Sequence, residues 1–322
     1  MAANLKPDET TDPALEERIS RLLKGAVDMH CHSGPSVMAR DIHHLEAMQE
    51  AADAGFRAIL IKDHWYSATP VTELLNKTHA HLNVTLLSGV PLNNAVGGFN
   101  KYAVDHGIAL GAKLVWLPTF SAKNHIESPS GTRAGFPHTI KKMLPFDPLT
   151  PLDGNGRVKD EVKEILDLIA QHDVILAGGH LHISEILPVF EEAKKRGVKR
   201  LLVNHPSFIV NASLDQIREL VAMGAYIEHS MCMFIVVPRR KRDPFPPETL
   251  DALIKAGTVD RTILASDLGQ RGADHPVQGF RNVIKICMGL GYSDEDIHKM
   301  ISRNPIKLLG LDESQEVAAQ AG

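Results

Sequence analysis

Val27-Asp28-Met29-His30-Cys31-His32-Ser33-Gly34-Pro35 is the stretch from which the rest of the chain is read. Ala26, Val27 and Met29 give it strand character, and Gly34-Pro35 stops the strand. Side chains two apart on a strand share a face, so His30 and His32 point one way and Cys31 the other. Two imidazoles at this spacing at a strand end suit one metal ion, with Zn–N bonds of about 2.0–2.1 Å. The plainer alternative is a pair of surface histidines, because the motif is short. The chain on either side decides between them.

Upstream, residues 1–12 read as a polar arm and 13–24 as a helix that Asp12 caps and Gly25 closes. Downstream, apolar runs alternate with amphipathic segments. Strands are expected at 26–32, 58–64, 84–90, 112–118, 174–180, 200–205, 225–229 and 262–267. Helices are expected near 41–54, 70–81, 100–110, 158–171, 183–196, 213–223, 247–256, 277–289 and 293–308. Eight strand–helix units with continuously apolar strands predict parallel strands buried on both faces. Eight is also the number that closes a (β/α)8 TIM barrel. An open doubly wound sheet is the competitor, but no G-x-G-x-x-G follows the first strand. The division is therefore a 1–25 arm and helix, a 26–310 barrel with long loops after strands four and seven, and a 311–322 tail.

The chain has 322 residues, is 43% hydrophobic and 23% charged, and has a formal charge of −4. Such a balance gives no general reason to expect nucleic acid or an anionic membrane as partner. Three widely spaced cysteines imply no disulfide framework. With no apolar leader in Met1–Asp12, a cytoplasmic setting is expected. The outlier is the count of 17 histidines, many at expected strand ends.

Active sites of such barrels lie at the C-terminal strand ends. His30 and His32 fall there on the first strand, His64 on the second, His180 on the fifth, His205 on the sixth and Asp267 on the eighth. Each has a dull reading alone: a structural histidine, or a helix cap. Together they predict a metal centre.

The ordered set resembles the amidohydrolase superfamily of metal-dependent hydrolases across about 26–310. There the first strand carries His-x-His (here His30 and His32), strands five and six each close on a histidine (His180, His205), and strand eight ends in aspartate (Asp267). Asn304-Pro305-Ile-Lys-Leu-Leu-Gly310-Leu is similar to a segment common in those enzymes. The bridging lysine or glutamate of dinuclear members has no counterpart at Leu117-Pro118-Thr119. One ion is therefore favoured and two are left open. His30-Cys-His32-Ser33 with Lys62-Asp63-His64 also resembles the polymerase and histidinol phosphatase family.

The resemblance implies Zn2+, with Mn2+ or Fe2+ as alternatives, held by His30, His32, His180, His205 and Asp267. Asp267 would shuttle the proton, and His205 or His64 would face the oxyanion. The expected reaction is hydrolysis of a lactone, cyclic amide, ester or amide; a phosphoesterase or a non-oxidative decarboxylase on the same barrel are the alternatives. Lys62, Asn94, Lys123, Arg133 and Arg239 are the expected substrate-binding residues, for a small anionic substrate. A homo-oligomer is expected.

Overall fold

A computed structural model of the chain describes residues 12–128, 139–237 and 243–311. Arg133, Arg239 and the tail beyond Leu311 lie outside the described residues. After α1 (Pro13–Leu23) come β1 (Val27–Cys31), α2 (His44–Ala54), β2 (Ala58–Ile61), α3 (Thr69–Thr78), β3 (Thr85–Pro91) and α4 (Lys101–Ala109). Then follow β4 (Leu114–Trp116), a short inserted α5 (Lys123–Glu127), α6 (Asp160–His172), β5 (Ile175–Ala177), α7 (Ile183–Lys195), β6 (Leu201–Asn204) and α8 (Leu214–Ala222). The chain closes with β7 (Tyr226–Ser230), α9 (Pro247–Gly257), β8 (Thr262–Ala265), α10 (Pro276–Gly289), α11 (Asp294–His298) and α12 (Asn304–Leu309).

The strands lie in the order β1 to β8, with every successive pair parallel. Between β8 and β1 the seam is drawn together by Asp267 N–H donating to His30 O (2.7 Å) and His32 N–H to Leu268 O (2.8 Å). The expected (β/α)8 barrel is the fold. No helix among the described residues is long and apolar enough to cross a membrane.

Two apolar shells follow from strand alternation. Val27, Met29, Ala58, Leu60, Leu114, Trp116, Ile175 and Ile263 fill the barrel, with Ile306, Leu308 and Leu309 of α12 packed against them. Cys31, Ile59, Ile61, Val115, Leu176, Val203 and Leu264 face outward, into the helices. One irregularity matters. Strict alternation from Val27 and Met29 would turn His30 outward with Asp28. The register instead slips between Asp28 and Cys31, so that β1 spends one more residue than β2 over that span. Such a bulge re-aims side chains at a barrel rim. Met29 and His30 both point inward, and Cys31 takes the outer shell.

Asp28 holds that bulge. Its Oδ1 accepts the backbone N–H of His30 and of Ser266, each at 3.0 Å, and its Oδ2 accepts Ser266 Oγ–H at 2.5 Å. The carboxyl therefore supplies the acceptor that the slipped ladder withholds.

The strands are shorter than their apolar runs suggest, because the strand-end polar residues have already left the ladder. The helix expected over 293–308 is interrupted by a π turn, Lys299–Arg303. It precedes Pro305, and Asn304 Nδ2–H donates to Val259 O and Thr262 O, each at 2.7 Å.

Burial pushes the Asp28 carboxyl up to about 6, against Ser266 and His30 hydrogen bonds that pull it down; a free aspartate lies near 3.9. A raised folded pKa means stability complete below about pH 4 and lost as pH climbs through about 6. Asp28→Asn cannot ionise, so its unfolding midpoint should vary less than wild type between pH 4 and 7. Asp28→Ala leaves two buried N–H groups unpaired and should cost about 2–5 kcal/mol in denaturant unfolding.

Candidate metal centre

The strand-end histidines form a closed circuit around the mouth of the barrel. Ring centroids step from His30 to His32 (5.0 Å), His64 (5.1 Å), His180 (5.7 Å), His205 (5.0 Å) and back to His30 (5.9 Å). Within it, three ligand atoms converge. His30 Nε2 lies 3.2 Å from His32 Nε2, and Asp267 Oδ1 lies 3.5 Å from the former and 3.1 Å from the latter. This trio is the group among the described residues able to hold a metal ion.

Hydrogen bonding at the far ring nitrogens sets the tautomers. His32 Nδ1 is 2.9 Å from Lys62 O, a pure acceptor, so Nδ1 carries the proton. His30 Nδ1 lies 2.6 Å from Glu228 Oε1. Glu228 Oε2 in turn accepts Asn204 Nδ2–H at 2.6 Å. Lys62 Nζ, a donor only, lies 3.1 Å from His30 Nε2, so Nε2 is the acceptor in His30 as in His32, and the two face each other and a carboxylate oxygen. Burial holds both imidazoles below their usual range, His30 furthest, so neither is protonated near neutrality.

Three acceptors this close repel unless a cation lies among them, and the Lys62 ammonium hydrogen-bonds to His30 alone of the three. Metal–ligand bonds of about 2.0–2.1 Å give a tetrahedron with edges of about 3.3–3.4 Å. The 3.1–3.5 Å triangle matches. The residues fit a divalent cation.

Burial works against the Asp267 carboxylate, but His30, His32 and His205 outweigh it and hold the group well below the usual range. Its Oδ2 accepts Cys232 Sγ–H at 3.1 Å. Asp267 sits at φ 50° and His205 at φ 33°, conformations disfavoured for residues with a Cβ. Backbone strain of this kind gathers where side chains are forced into a working position. His205 Nδ1 is buried without a hydrogen-bond partner. His180 is delivered by Gly179 (φ 62°), where a Cβ would stand 2.2 Å from Leu117 O. Its Nδ1 meets His125 Nδ1 of α5 at 2.9 Å, outside the triangle.

Lys62, fully buried, places Nζ 3.1 Å from His30 Nε2 and 5.6 Å from the centroid of the Trp116 ring. Burial lowers its pKa and raises that of Glu228. His64 stacks on Phe120 at 3.8 Å, with Nδ1 2.9 Å from Thr119 Oγ1. Of the expected substrate-binding residues, Lys62 is thus in the mouth. Asn94 Oδ1 accepts Asp147 N–H, and Lys123 pairs with Glu127 on an exposed face of α5. His182 caps α7 by accepting Ser184 N–H.

Sequence reading passed over Glu228, Asn204, Arg40 and Asp63. The signal for Glu228 was present: a carboxylate inside an otherwise apolar strand buried on both faces needs a partner. His229 beside it points to the outer shell, and both its ring nitrogens lack a partner.

A model for DUF6282, described as a family of unknown function, matches residues 25–228. No curated protein matches. Among solved structures, an amidohydrolase from Pseudomonas aeruginosa is similar over 92% of this chain and 98% of its own, at 11% identity and TM-score 0.62. A candidate 2-pyrone-4,6-dicarboxylic acid hydrolase from Pseudomonas putida covers 89% and 97%, at 14% and 0.57. A mutant organophosphorus hydrolase from Deinococcus radiodurans covers 91% and 94%, at 14% and 0.54. At these identities the likeness is one of fold.

Asn93 ties the mouth together with four bonds. Its Oδ1 accepts Thr119 N–H (2.9 Å) and Ser121 N–H (3.0 Å), while Nδ2–H donates to His64 O (2.9 Å) and Thr119 Oγ1 (2.6 Å). Asn93→Ala strands two buried N–H groups and should lower stability by about 3–5 kcal/mol in denaturant unfolding.

Proposed function

The chain belongs to the DUF6282 family, whose function is unknown, and from that premise we propose that it is a metal-dependent hydrolase acting on a carbonyl centre. The substrate class is a lactone, cyclic amide, ester or amide. The observation that carries this reading is the triangle of His30 Nε2, His32 Nε2 and Asp267 Oδ1 at the C-terminal mouth, three proton-free acceptors within 3.5 Å. The hydrolases similar in fold support the reaction class by their names. Zn2+ is the ion that two imidazoles and a carboxylate suit first, with Mn2+ or Fe2+ as alternatives.

A divalent cation held by His30, His32 and Asp267 would supply Lewis acidity and would make water acidic enough to react near neutral pH. The residues do the rest. Glu228 and the Lys62 carbonyl lock both imidazoles in the ligating tautomer, a role that outer partners of metal-bound histidines commonly play. Asp267, ionised across the neutral range, accepts the proton of the attacking water and returns it to the leaving group. Lys62 Nζ donates toward the oxygen that gains charge, with His205 and His64 completing a polar rim for that oxygen. Phe120 against His64 keeps this side of the mouth apolar.

Purified protein should contain about one equivalent of divalent metal by elemental analysis. Chelation should abolish hydrolysis across a lactone and amide panel, and Zn2+ or Mn2+ should restore it. Metal-free protein with undiminished turnover would end this reading. Asp267→Asn should retain part of the metal yet lower kcat by about 10²–10⁴-fold, the usual contribution of a positioned proton acceptor.

Glu228→Gln keeps the shape but weakens the acceptor for His30 Nδ1–H. Metal affinity, measured by competition with a chromophoric chelator, should drop about 10- to 100-fold.

A further inference from the structure

Arg40 sits in the loop that follows the His-x-His strand. The loop is pinned on its far side by Asp41 N–H donating to Gly269 O (3.1 Å), by Arg271 N–H donating to Ala39 O (3.1 Å), and by a bridge between Arg40 and Gln270. Gln270 Nε2–H donates to the backbone oxygen of Asp267 (3.1 Å), so this loop is joined directly to the metal-ligating end of β8.

The Arg40 side chain is only 3% exposed, yet it is poorly satisfied. Its Nη2 reaches Asp63 Oδ2 at 3.5 Å and Ser36 Oγ at 3.4 Å, both at the outer limit of a hydrogen bond. Nε is buried with no partner. Asp63 is committed elsewhere, since its Oδ1 accepts Trp65 N–H at the shorter distance of 2.8 Å. A guanidinium carries five donors in a planar fork, and leaving them unpaired inside a protein is costly. A structural ion pair is normally drawn to about 2.7–2.9 Å. This one is held apart.

The position is as telling as the vacancy. The charge of Arg40 acts on His32 and His64, and that of Asp267 acts back on Arg40. Trp65, whose backbone N–H shares Asp63 with Arg40, forms an apolar cluster with Met38 and Phe120 against which Phe146 packs, and Phe120 carries the stack onto His64. A planar, low-dielectric wall with an under-used guanidinium beside it suits a ring that bears a carboxylate.

We propose that Arg40 selects the substrate, its guanidinium fork receiving a carboxylate of a ring lactone or cyclic amide whose carbonyl lies at the metal centre. The inference rests on the hydrolase reading for the reaction, but carboxylate recognition is testable without turnover.

The experiment uses the full-length, metal-loaded protein and Arg40→Met, Arg40→Lys and Asp63→Asn. Ring lactones and lactams are offered as pairs, each carboxylate beside its neutral carboxamide: 5-oxotetrahydrofuran-2-carboxylate, 2-pyrone-6-carboxylate and pyroglutamate. Hydrolysis and ligand-induced thermal stabilisation are both read. Wild type should favour the carboxylates in both readouts. Arg40→Met should lose that preference by about 10- to 100-fold, the scale of a charge-assisted hydrogen bond, chiefly in KM. Arg40→Lys, a point charge without the fork, should restore only part. Asp63→Asn, which frees the guanidinium, should keep or strengthen carboxylate binding.

If Arg40 serves only as Asp63's counter-ion, Asp63→Asn will lose as much as Arg40→Met, and the proposal is overturned. It is overturned equally if wild type treats acid and amide alike, or binds neither. Carboxylate-selective stabilisation that Arg40→Met abolishes, with no hydrolysis of any pair, upholds Arg40's role and counts against the hydrolase reading instead, whereas a preference that survives in Arg40→Met overturns the proposal.

Discussion

A single carboxyl, that of Asp28, is the constraint on which the site rests. A closed barrel needs its last strand to meet its first, and this chain needs the first strand to slip so that His30 faces inward. The two demands collide at the same few backbone groups, because a slipped ladder leaves N–H donors without carbonyls. Asp28 answers both by accepting from His30 on its own strand and from Ser266 across the seam. Its burial is costly for a charge, which is why its proton is held to about pH 6. The Ser266 hydroxyl completes the arrangement by donating to Asp28 Oδ2 and lying 2.9 Å from His30 O. Ligand placement and barrel closure are thus one problem with one solution.

Most of the architecture was legible in the sequence. Eight apolar runs of similar length, each followed by an amphipathic segment, leave little choice but a closed parallel barrel. The strand-end histidines and Asp267 were legible as well, because position in such a barrel ranks residues before any contact is known. Less visible were the features that depend on parity and distance. Alternation correctly sets His30 and His32 on one face, but which face depends on a register slip that no residue type announces. Arg133 and Arg239 stand out in the sequence because they lie in the longer loops, whereas Arg40, in the shorter loop after the first strand, does not. What marks Arg40 is the burial of its side chain, which a sequence does not carry. Glu228 was hidden for the opposite reason: it lay in a strand read for its apolar neighbours.

The electrostatics of the mouth form a graded series. The innermost atoms are pure acceptors; carboxyl and carbonyl groups behind them fix proton positions, the Lys62 ammonium reaches His30 Nε2, and the Arg40 guanidinium stands with Nε unpaired. Buried histidines held below their usual range keep the region from accumulating positive charge of its own. Positive charge then enters from elsewhere, as a cation at the centre, and negative charge with whatever is bound. The site is polar without being internally neutralised, an arrangement typical of a place where ligands complete the charge balance.

The extra residue in β1 also bears on how relatives of this chain are aligned. Two homologues can share every letter of the His-x-His motif and differ by one residue upstream of it. In the shorter one the same histidines would lie against the helix layer while the residue between them faced the mouth. Counting from the motif back to the aspartate that braces it is therefore a sharper criterion of shared chemistry than the motif itself.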